Sequence, residues 1–61
     1  MTIRFIGGPL AGIERETADT AWAGGWFTVG GADWTLYVAT HRDPAADIVL
    51  AEVRTTAPRH R

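Results

Sequence analysis

Apolar and polar residues alternate along this chain in short runs, each cut off by Gly, Pro or Asp. A period of two over a few residues marks a half-buried strand, whereas a helix repeats its apolar positions three and four apart over a longer span. On that basis Thr2 to Ile6 is a first strand with Ile3 and Phe5 on one face. Ile13 to Ala18 is a second, and its Glu14-Arg15-Glu16 core suits a sheet edge, where charge discourages pairing with other chains. Residues 19 to 25 form a loop. Trp26 to Val29, Asp33 to Arg42 and Ile48 to Thr55 complete the set.

The final stretch also admits a helix. With Asp43 as N-cap and Pro44 at the first helical position, Ala46, Val49, Leu50 and Val53 share one face of a helix over 44-57. The β-branched Ile48, Val49 and Val53, following a strong strand at hairpin distance, favour the strand instead.

Gly30-Gly31 is suited to the centre of a two-residue hairpin turn, which sets Val29 opposite Ala32 and Phe27 opposite Trp34. That register gathers Phe27, Val29, Trp34, Leu36 and Val38 into a core face. It leaves Trp26 and Tyr37 on the other, with Trp22 of the preceding loop in reach. The expected architecture is all-β: a small antiparallel meander of four to five strands, forming an SH3-like barrel or a curled sheet. The alternative is α+β with the C-terminal helix 44-57. Residues 1-55 then make a single small β domain, and 56-61 a basic C-terminal tail.

Size sharpens the problem of stability. A chain of 61 residues buries only about 60% of its unfolded surface, and domains this small commonly add disulfides, metals or a partner subunit. Disulfides are excluded because there is no Cys. The three Trp, two Phe and one Tyr must therefore supply much of the burial, unless association does. No apolar run is long enough to span a membrane and the first residues lack a signal-peptide pattern, so a cytoplasmic protein with no membrane partner is expected.

Charge is unevenly placed. Residues 1 to 53 carry three Arg against seven carboxylates, a net of −4, while Arg54, Arg59 and Arg61 make the end basic. An acidic body disfavours binding to nucleic-acid phosphates, which depends on clustered cations. All six basic side chains are Arg and none is Lys, a bias that fits a GC-rich genome.

The run FIGGPLAGIERE, residues 5 to 16, has the glycine spacing of a phosphate-binding loop but lacks its chemistry. Ile13-Glu14 stands where Lys and Ser or Thr are required, Pro9 has no N–H, and Glu14 and Glu16 repel anions. A tight turn accounts for the same residues, with Pro9 fixing φ, Leu10 tucked inward and Gly12 at positive φ. The segment Phe5-Ile6-Gly7-Gly8-Pro9-Leu10-Ala11-Gly12, entering a charge-rich strand, resembles the opening of small proteins of unknown function from actinobacterial bacteriophages and prophages. Those proteins commonly carry Asp where this chain has Ala11. The resemblance covers about the first sixteen residues and implies a phage context in a host cytoplasm, with no active site to carry over.

Catalytic chemistry has little to draw on. The chain has neither Ser nor Cys, and its two His, His41 and His60, have no second convergent metal ligand in view. No catalytic residue, metal or cofactor is expected, and the protein reads as no enzyme. Trp22, Trp26 and Tyr37 remain, either as a protein-binding surface or as rings covered by a loop to complete a core. The favoured function is a noncatalytic protein-binding or self-associating module, a phage accessory protein acting on a host protein. Its competitors are a single-stranded nucleic-acid binder, stacking bases on the same rings with Arg4, Arg42, Arg54, Arg59 and Arg61 on the phosphates, and a minor virion structural protein.

Overall fold

In the computed structural model, which describes residues 1–58, the alternation at the N-terminus becomes β1, Thr2–Ile6, with Ile3 and Phe5 buried and Arg4 and Ile6 exposed. A single 3-10 turn, Gly8–Leu10, leads to β2, Glu14–Glu16; β3 is Gly24–Phe27, β4 Trp34–Asp43 and β5 Ile48–Ala57. The strands form one curled sheet, a half-barrel, in the order β2-β1-β5-β4-β3.

The all-β expectation holds, and β3, β4 and β5 run as an antiparallel meander. The first strand then lies beside the last, parallel to it, with Thr2 opposite Ile48 and Phe5 opposite Ala51. That arrangement makes β5 the central strand and overturns the helix over 44-57. Residues 44 to 47 are a turn, in which the Asp43 carboxylate accepts from the Ala46 N–H and Asp47 takes φ 58°. Asp43 therefore caps a hairpin turn, the Asx role, in place of a helix. A helix here would have left β1 and β4 without their shared neighbour. Strand limits also shift: β2 is shorter than residues 13 to 18, β3 begins at Gly24, and β5 takes in Thr56 and Ala57 from the presumed tail.

The β3–β4 register differs from expectation by one residue. Phe27 pairs with Thr35, and Trp26 with Leu36. The turn itself forms as expected, since Gly30 and Gly31 have φ 61° and 92° and the Ala32 N–H reaches the Val29 carbonyl at 3.0 Å. One residue, Thr28, then separates Val29 from Phe27, while Asp33 and Trp34 both lie between Ala32 and Thr35. The extra residue is a bulge, bridged by the Thr28 hydroxyl donating to the Ala32 carbonyl at 2.7 Å. Because side chains alternate with a period of two, the slip turns the β4 side chains from Trp34 to Ala39 to the opposite face.

The core is accordingly Ile3, Phe5, Leu10, Tyr37, Val49 and Ala51. The expected core face is corrected: Val29 and Trp34 are exposed and Leu36 and Val38 half-buried, whereas Thr35 and Tyr37 are buried. Phe5, Phe27 and Tyr37 meet edge to face in a trio with centroids 4.8 to 5.9 Å apart, a geometry in which positive ring edges meet negative faces. Two further irregularities on the β4–β5 ladder, at Arg54 and Thr40, bend the long hairpin.

Candidate interaction surface

The glycine loop is built to be closed. Leu10 is buried and the Tyr37 hydroxyl enters the loop from β4, accepting from the Leu10 N–H at 3.0 Å and donating to the Gly7 carbonyl at 2.6 Å. The N–H groups of Ala11, Gly12 and Ile13 donate to the carbonyls of Gly8, Phe5 and Leu10. The backbone donors from Leu10 to Ile13 are thus spent within the fold, which is the geometry of a turn and leaves them unavailable to cradle a phosphate. Gly12 takes φ 82°, as the turn requires.

The three aromatics expected to share a surface do not. Tyr37 is fully buried, a correction that follows directly from the one-residue slip. Trp22 packs against the core from the loop before β3, and its carbonyl accepts from the Arg42 guanidinium. Trp26 alone of the three stands on the second face, 47% exposed.

That second face is laid out by the pairings. Trp34 and Ala57 form its first row; Trp26, Leu36 and Thr55 the second; and Val38, Glu52 and Ile6 the third. His41, Leu50, Arg4 and Glu14 follow, and then Asp43, Ile48, Thr2 and Glu16. The face is therefore divided. Its first three rows are largely apolar, with Trp34 39% and Ile6 42% exposed. Its last two carry the charge, including the Arg4–Glu14 ion pair at 2.7 Å. Glu52, inside the apolar part, accepts from the Thr40 hydroxyl at 2.7 Å. A hollow of about 200 Å³ lies at the charged end, lined by Arg4, His41, Asp43, Ile48 and Leu50.

The arginines offered as nucleic-acid contacts are scattered. Arg42 is engaged with the carbonyls of Trp22 and Thr20 on the core side, where it ties down the preceding loop. Arg4 is paired with Glu14, and Arg54 occupies the β5 bulge. Arg59 and Arg61 lie outside the described residues, as does His60. Among the described residues no three His, Asp or Glu side chains converge as metal ligands.

Sequence reasoning missed Trp34, Leu36 and Val38 as surface residues. The run WTLYVA is apolar at both parities, so its pattern does not choose a face. Only the bulge residue chooses.

No protein-family model matches the chain, and no curated protein or solved structure matches it either. No helix among the described residues is long and apolar enough to cross a membrane.

Proposed function

We propose that this chain is a noncatalytic protein-binding module whose contact surface is the second face of the sheet, centred on Trp26, Trp34, Leu36 and Val38. One observation carries the reading: Trp26 on β3 and Trp34 on β4 are both exposed, on the same face as the half-buried Leu36 and Val38 and the exposed Ile6. Large exposed apolar patches on small soluble domains mark interaction sites, and Trp dominates interface energetics. The phage context implied by the chain's opening makes a host protein one candidate partner and the chain itself another.

Photo-crosslinking tests this. A benzophenone amino acid at Trp34 should give a discrete adduct in cells, and the same group at Arg15 on β2 should give none. Equal labelling at both positions, or none at either, would overturn the reading. The adduct's mass separates self-association from a different protein.

Single-stranded nucleic acid is the reading to test against. Trp26 and Trp34 offer base-sized rings, but Arg4 is paired with Glu14 and Arg42 is held on the core side by the Trp22 carbonyl. Labelled oligonucleotide should bind weakly at low salt and not at physiological salt. Submicromolar affinity at physiological salt, lost in Trp26→Ala, would replace protein binding with base stacking.

A further inference from the structure

We infer that a partner of this face is a second copy of the chain, stacked sheet on sheet about a dyad that crosses the strands at Leu36. The inference rests on the second face being the docking surface. Three features of the molecule lead to it.

The first is the shortage of core. The fully buried apolar side chains are few, no disulfide is possible, and two of three Trp lie with more than a third of their surface in water. Small domains in that position commonly complete their burial with another subunit. A second copy brings the same uncovered rings.

The second is area. Trp26 and Trp34 together expose roughly 200 Å². Ile6, Leu36, Val38, Thr55 and Ala57 bring the patch to roughly 500 Å² per copy, or about 1,000 Å² for a pair, at the lower bound for a specific interface. A dimer of that size is a weak one.

The third is charge, which selects the orientation. With the dyad parallel to the strands, each row would meet its own row and the two acidic ends would be brought together: a dyad along β4 sets Asp43 on Asp43, one midway between β2 and β4 sets Asp43 against Glu16, and like charges would repel. With the dyad across the strands, the apolar rows overlap in reverse order and the charged ends project into water at opposite ends. Leu36 then faces Leu36, Trp26 faces Trp26, and Val38 faces Trp34, at the usual sheet spacing of about 10 Å. Glu52, held by Thr40, faces the small Ala57 and keeps room for its carboxylate.

Sedimentation velocity and single-cysteine crosslinking test the proposal together. The wild-type chain should be monomeric near about 1 μM and substantially dimeric by about 500 μM, the range of a small interface. Leu36→Glu and Trp34→Lys should each stay monomeric throughout with unchanged far-ultraviolet circular dichroism. The chain lacks cysteine, so Leu36→Cys and Asp43→Cys report single positions. A short bismaleimide should link Leu36→Cys into dimers and leave Asp43→Cys unlinked. A wild-type monomer at the highest concentration overturns the dimer, and linking at Asp43→Cys in place of Leu36→Cys overturns its orientation. Either result leaves the docking reading intact if crosslinking at Trp34 still yields a different protein; loss of every adduct removes both.

Discussion

Tyr37 is the residue on which the interior turns. Its ring joins Phe5 and Phe27, and its hydroxyl satisfies both the Leu10 N–H and the Gly7 carbonyl, so one side chain binds the central hairpin to the glycine loop. Tyr37→Phe keeps the ring and orphans two backbone groups, which should cost about 1–3 kcal/mol and lower the melting temperature. Gly8 is its counterpart. At φ 66°, a Cβ there would stand 2.7 Å from the Tyr37 hydroxyl and 2.7 Å from Val53 Cγ2. Gly8→Ala should therefore destabilise by about 1–3 kcal/mol through overpacking and strain. Gly12 also has positive φ but open space around it, so Gly12→Ala should be milder in the same denaturation experiment. Trp34→Ala, on the second face, should change monomer stability by less than about 1 kcal/mol, against about 3–5 kcal/mol for Phe5→Ala. Equal losses at Trp34 and Phe5 would return Trp34 to the interior.

At the scale of elements, each strand was legible in the chain wherever one parity was clearly polar. β1 reads Thr-Ile-Arg-Phe-Ile, and its buried pair Ile3 and Phe5 follows from that alternation. The glycine loop was legible too, because Pro9, Leu10 and Gly12 have narrow conformational roles. The site was not. Its strand, β4, offers Trp34, Leu36 and Val38 on one parity and Tyr37 and Ala39 on the other, both apolar enough to bury. The decision falls to a single extra residue between Ala32 and Thr35, where the Thr28 hydroxyl bridges to the Ala32 carbonyl. Local sequence does not report such a bridge. Thr28→Val should remove the hydroxyl that bridges the bulge and so favour the rejected register, with Trp34 inward. Tryptophan fluorescence would then shift to the blue, and an unchanged spectrum would show that the core, not the bulge, sets the register.

For the whole molecule, the dividing line runs between a small core on one side of the sheet and an uncovered apolar half-face on the other. If that half-face pairs with itself, mass action links stability to concentration, because dimerisation draws on the folded state alone. The melting temperature of the wild-type chain should rise between about 10 and about 500 μM, while that of Leu36→Glu should not. A concentration-independent wild type would place its stability entirely within one chain.

The placement of β5 between β1 and β4 has a consequence for synthesis. The strand made last is the one on which two separately made pieces, the β1–β2 hairpin and the β3–β4 hairpin, must both assemble. Neither piece has its buried face covered before then, and two-stranded hairpins alone are marginal in water. Pairing the first strand with the last is also a long loop closure, which slows folding in small β proteins. A nascent chain halted before Ile48 should remain protease-sensitive on the ribosome, and protection should arrive in one step once the whole of β5 has emerged.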